Sequence, residues 1–254
     1  MKNVTNYIEQ KKLEFYNHVF FERFKKGEDI REVLQYSIGF GFWIMTFQDV
    51  LRLNTARFSD PSLKPIAEKH MAEDSGHDLW YLSDLTMMGL NIPTIHTIYQ
   101  SQFSSSRDAS YLLINEALNT KNDLERLILI EAIESTSDVF FGWTSDYVEN
   151  LNITAPLRFF SKYHFNVEQS HDCEEFEHIF ETTVLSEEEE RDLIALVDRT
   201  YEAFDILYTG IDVLMKKGEK IQRLIKEDPG NLVDWEGMAS GFSESRNTKI
   251  AMEI

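Results

Sequence analysis

Residues 164–171 read His164-Phe-Asn-Val-Glu168-Gln-Ser-His171. His164, Glu168 and His171 stand at i, i+4 and i+7, and at about 100° per residue this spacing puts all three on one face of an α-helix. Two neutral imidazoles and a carboxylate make a donor set suited to iron, manganese or zinc, and the spacing lets all three approach one ion. His178 continues the stripe but sits among Glu174, Glu175 and Glu177, and reads as surface.

A second cluster lies upstream, His70-Met-Ala-Glu73-Asp74-Ser-Gly-His77. On a continuous helix His70 and His77 differ by only about 20° around the axis, with Glu73 and Asp74 to either side. All four can address one point. Ile66 and Met88 extend the same stripe with apolar side chains, which predicts that it faces the interior. Between the two clusters, Glu131-Ala-Ile-Glu134 follows the apolar run Leu127-Ile-Leu-Ile130. A carboxylate in such a run needs compensation if it is buried, and a metal is one form of it. Periodicity alone does not separate Glu131 from Glu134; Glu134 is preferred, and Asp138 is the weaker candidate. Histidine and acid pairs also occur on solvated helix faces, so the weight rests on three clusters coinciding. Their sum resembles the principle of helix-bundle carboxylate proteins, in which a dinuclear iron or manganese site lies between facing helices. The ferritin-type pair of Glu-x-x-His signatures is absent.

The surrounding chain fits such a bundle. Its 254 residues, 43% of them hydrophobic, suffice for one sizeable core. The net charge of -19, from 44 acidic against 25 basic residues, disfavours nucleic acid and anionic membrane as partners and leaves a small-molecule substrate or protein partners. A single cysteine, Cys173, excludes an intramolecular disulfide and a cysteine-ligated cluster, and suits the cytoplasm. The most apolar stretch, residues 38–47, is about half of what a membrane helix needs and carries two glycines, and residues 1–12 hold no apolar signal core.

Only 11 glycines and 5 prolines punctuate the chain, and apolar residues recur at threes and fours. Helices are predicted over residues 4–24, 30–57, 63–88, 109–118, 122–151, 156–183 and 186–217, an all-α bundle of about seven helices. Gly89 and Pro93 stop the third, and Ser186 with Glu189 forms a capping box for the last. Residues 30–57, apolar on nearly every side, are predicted to form the central helix, and residues 104–106 a loop. Residues 1–227 form the expected domain. Residues 228–254 are a tail, either disordered or docked on a partner.

At this point the chain resembles the haem-oxygenase-like fold and, within it, the di-iron oxidases and oxygenases, over roughly residues 20–180. Glu73-Asp74-Ser-Gly-His77-Asp78-Leu-Trp80, followed by Asp84-Leu85 and Gly89, is similar to that family's acidic-pair, Gly-His, Asp-Leu, Leu-Gly run. His164-x3-Glu168-x2-His171 matches its second motif position by position, and Ala132-Ile133-Glu134 resembles the intervening ligand-bearing helix. The resemblance implies a single haem-oxygenase-like bundle with His77, Glu134, His164, Glu168 and His171 as metal ligands. The sixth position stays open among His70, Glu73 and Asp74, because the family places a carboxylate either seven or three residues before the first histidine, and this chain has His70 and Asp74 there.

By the same resemblance the cofactor is two iron ions and the cosubstrate O2, with an external reductant and a homodimer expected. The implied substrate is small and amino-acid-like or fatty-acid-like, and the implied outcomes are oxidative C–C cleavage, N-oxygenation or nitrile formation. Three rivals are set against this. Metal-free enzymes of cofactor metabolism share the fold but do not need His164, Glu168 and His171 on one face. A haem-degrading enzyme would use His18 as proximal ligand. A non-enzymatic helical protein would store metal or bind partners through its acidic face.

Overall fold

The computed structural model describes residues 1–25, 35–150, 156–168 and 174–227. Among them every regular element is helical: α1 (Lys2–Phe15), α2 (Glu22–Lys25), α3 (Gly41–Thr55), α4 (Lys64–Glu73), α5 (His77–Met87), α6 (Ile95–Ile98), α7 (Ser104–Asn119), α8 (Asp123–Asn150), α9 (Lys162–Glu168), α10 (Glu174–Thr182) and α11 (Glu187–Glu227). Short 3-10 turns lie at Val19–Phe21, Gln35–Phe40 and Ser101–Phe103. None of the described helices is long and apolar enough to cross a membrane. The chain divides into two compact units, Met1–Leu214 and Met215–Ile254. The described residues of the second, 215–227, are helical, and the predicted tail at 228–254 lies outside the described residues.

The first unit is organised around α8. Arg126, Leu127, Ile128, Leu129 and Ile130 are buried in succession, so the helix is enclosed on every side, and α1, α3, α7 and α9 pack against it. Each fully buried leucine or isoleucine contributes roughly 1.5–3 kcal/mol relative to exposure. The central helix is thus α8 and not the predicted 30–57 segment. There, Met45, Thr46, Phe47 and Gln48 are half-buried and Asp49 is exposed, because one side of α3 borders a cavity.

Several predicted helices are subdivided, each for a local reason. The stretch predicted as one helix over 63–88 ends at Glu73 and restarts at His77, because Gly76 takes φ +92°, a left-handed conformation that glycine tolerates and a helix interior does not. At this break the Gln48 side-chain amide donates to the Asp74 carbonyl at 2.7 Å, partnering an oxygen near the end of α4. The predicted first helix stops at Phe15. Beyond it, His18 Nδ1 accepts from the Phe20 N–H at 3.2 Å and caps the following 3-10 turn. Residues 104–106, expected as a loop, form the first turn of α7, where the fully buried Ser106 Oγ accepts from the Trp43 N–H at 3.1 Å and satisfies an otherwise orphaned donor in the first turn of α3.

Candidate metal centre

The site forms where α4, α5, α8 and α9 meet. His164 Nδ1 lies 2.9 Å from the Phe159 carbonyl oxygen, which can only accept. The proton therefore sits on Nδ1, and in the neutral ring Nε2 presents its lone pair to the interior. That nitrogen lies 2.7 Å from Glu168 Oε1 and 3.1 Å from His77 Nδ1, while His77 Nδ1 lies 3.3 Å from the same carboxylate oxygen. His77, His164 and Glu168 thus turn three electron-pair donors toward one point, and all three are buried.

A second group stands beside it. His70 Nε2 is 3.0 Å from Glu134 Oε1, and His70 Nδ1 is 3.6 Å from Asp74 Oδ2. Asp74 links the two groups, since its Oδ1 is 3.7 Å from His77 Nδ1. In each group the donor atoms lie within 4.8 Å of one another. The residue types and convergence fit a pair of metal ions held by nitrogen and oxygen donors, with one carboxylate able to reach both. Burial lowers the pKa of His70, but the charge of Glu134 and its hydrogen bond, with Asp74 and Glu168, more than offset this and raise it to about 9. Without metal, an imidazolium at His70 therefore compensates the carboxylates.

The two candidates for one position, His70 and Asp74, belong to the same group rather than excluding each other. Glu73 belongs to neither; its carboxylate lies 3.9 Å from Lys69 Nζ, and the side chain is half-buried. Glu134 is in the site, whereas Asp138 pairs with Lys12 of α1 at 2.6 Å. Glu131 has Glu9 and Lys12 of α1 among its electrostatic neighbours, and burial together with Glu134 pushes its carboxyl up to about 7. His178 is exposed, as its sequence context predicts, and His171 lies outside the described residues.

Two residues of the family-like run, Asp84 and Trp80, acquire a supporting role only in the structure. Asp84 on α5, with no exposed surface, accepts the Arg158 N–H at 2.8 Å and the Phe160 N–H at 3.1 Å. It therefore clamps the segment whose Phe159 carbonyl orients His164, the kind of supporting contact that tunes a metal ligand. Burial raises the Asp84 pKa against the opposing effect of these N–H groups. Trp80 stacks on His77 with ring centroids 4.4 Å apart, and the Arg158 guanidinium lies 5.3 Å from the Trp80 ring and 5.2 Å from that of Tyr163. The sequence offers Asp84 as part of the Asp-Leu motif and as a lone acid in the run Leu79-Trp-Tyr-Leu-Ser-Asp84-Leu, but neither names its partners.

The groups border a cavity of about 70 Å³. Its wall is mostly apolar and includes Phe40, Trp43, Phe47, Phe140, Phe141 and Tyr208. His18 takes no part in it: Nδ1 caps the turn already described, and Nε2 lies 3.2 Å from Asp205 Oδ1 and 3.3 Å from Thr209 Oγ1. Both ring nitrogens of the haem-ligand candidate are engaged by protein groups.

No family model matches the chain, and no curated protein matches it significantly. Solved structures do. A TenA homologue from Pyrococcus furiosus superposes with a TM-score of 0.60 at 12% identity, over 83% of this chain and 98% of that one. A domain of unknown function with a haem-oxygenase-like fold from Shewanella denitrificans gives a TM-score of 0.63 at 16% identity, over 87% of this chain and 92% of that one. The fold is therefore the haem-oxygenase-like one, as the sequence resemblance implies.

Proposed function

We propose that the chain is a non-haem di-iron oxidoreductase that uses O2 to transform a small organic substrate. The observation that carries the reading is the pair of donor groups, the buried His77/His164/Glu168 and His70/Asp74/Glu134 with only Glu134 half-buried, connected through Asp74. Two histidines and one carboxylate with room left on the ion is the donor pattern of non-haem iron oxygenases, and the cavity lies against it. Bound iron would supply the redox and Lewis-acid chemistry.

The protein's own residues do the remaining work. His164 is held in one tautomer by the Phe159 carbonyl, Trp80 covers one face of His77, and the aromatic wall limits water at the reacting centre. Glu168 and Glu134 would provide negative charge to balance the ions, and Asp74 stands between the two donor groups. Electrons beyond those supplied by the substrate would come from an external reductant, and the substrate is a small molecule able to enter an aromatic cavity. A homodimer is part of the same proposal and is checked by mass in solution.

The test is anaerobic titration of the purified full chain with Fe(II), followed by O2. Two iron ions per chain and iron-dependent O2 uptake are expected. Iron at background level would overturn the proposal. Alanine at His164 and glutamine at Glu134 are each expected to remove about one equivalent; full retention in both variants would overturn the assignment of the donors.

A further inference from the structure

The polar groups in the cavity wall that belong to neither donor group suggest what the substrate carries. Gln48 already gives its amide N–H to the Asp74 carbonyl. Ser137 lies one turn beyond Glu134 on α8. Asp78, in the first turn of α5 beside His77, is half-buried, and no hydrogen bond or ion pair engages it among the described residues. No lysine or arginine among the described residues lines the cavity. The wall thus combines a carboxylate that has no protein cation among the described residues with the aromatic side chains of Phe40, Trp43 and Phe140, a residue type that attracts cations in desolvated sites.

We infer that Asp78 is the specificity-determining anchor for a protonated amine, and that the substrate class is a small apolar primary amine rather than a free carboxylate. This rests on the proposed function only for the reaction, not for the binding. An amine nitrogen held at Asp78 leaves its hydrocarbon body against the aromatic wall, next to His77 on the adjacent residue. The space of about 70 Å³ is roughly half of the ~150 Å³ that accommodates benzene in an engineered apolar cavity. A body of a few carbons is the expected size. Ser137 offers a second polar contact.

The experiment uses isobutylamine, isobutanol and isobutyrate as probes of nearly equal size, titrated at neutral pH against the full chain while Trp fluorescence and thermal unfolding are followed. Isobutylamine is expected to bind at least tenfold more tightly than either of the others. In Asp78→Asn that preference should fall at least tenfold, while metal stoichiometry stays at the wild-type value. Tightest binding by isobutyrate, equal binding by all three, or an amine preference that survives Asp78→Asn would each overturn the inference. Each titration is repeated on metal-free and on zinc-loaded protein. An amine preference that depends on Asp78 in protein unable to bind metal would uphold the anchor and overturn only the di-iron reading. Metal binding without the amine preference would do the reverse. The wild-type comparison stands by itself, so a poorly folded variant does not decide the outcome.

Discussion

Replacing Glu131 by glutamine should make the metal-free protein more stable at pH 8, and the size of the gain follows from its surroundings. The carboxyl is desolvated and lies near Glu134, Glu9 and Asp138, with Lys12 as partial relief, which moves its pKa from 4.5 to about 7. At about 1.4 kcal/mol per tenfold change in the proton equilibrium this gap corresponds to roughly 3 kcal/mol, and partial exposure reduces it to about 2 kcal/mol. The folded state holds this proton more tightly than the unfolded chain does. Stability is therefore unaffected by the shift below pH 4.5, falls as pH rises from there to about 7, and stays reduced above. Chemical denaturation of wild type and Glu131→Gln at pH 4.5 and pH 8 measures this directly. The variant should gain about 2 kcal/mol at pH 8 and little at pH 4.5. Equal effects at both pH values, or a loss of stability at pH 8, would refute the reasoning. Retained metal stoichiometry would further separate Glu131 from Glu134.

Other perturbations address the support of the site. Asp84→Asn loses a charged acceptor of two buried N–H groups, so affinity at the His77/His164/Glu168 half should fall about 10- to 100-fold, while the His70/Asp74/Glu134 half keeps its metal; cobalt(II) absorption titrations resolve the two. Gly76→Ala meets no atom within 4 Å, so its cost comes from φ alone and should be about 1–2 kcal/mol in urea unfolding. Metal binding at the His70 half must displace the proton that His70 holds up to about pH 9. Calorimetry in buffers of different ionisation enthalpy should therefore show proton release on loading at pH 7.5, and much less in His70→Ala.

The fold was legible where local pattern and tertiary environment agree. The uninterrupted apolar run of α8 predicts a helix, and the helix is enclosed on all sides. His164 and Glu168 were legible because i and i+4 share a face whatever surrounds the helix. The break between α4 and α5 was not, because an isolated glycine within a helical pattern does not by itself specify a left-handed residue. Glu131 and Glu134 are about 60° apart on the helix, so only the placement of Lys12 and Glu9 on α1 and of His70 on α4 distinguishes them. Asp84 was legible as a motif position but its role was not, because its partners are backbone N–H groups 74 and 76 residues away in the chain, and backbone donors leave no trace in a residue pattern.

The glycine joint at residue 76 also governs spacing. In an unbroken helix His70 and His77 would stand roughly 10 Å apart along the axis, whereas across the joint their ring nitrogens lie 3.6 and 3.7 Å from the two different carboxylate oxygens of Asp74. The distance between the two halves is thereby set by three linker residues instead of by helical rise. Each half can keep its own donor residues while the separation is retuned by changes confined to residues 75 and 76, a coarse adjustment that leaves the packed helices untouched.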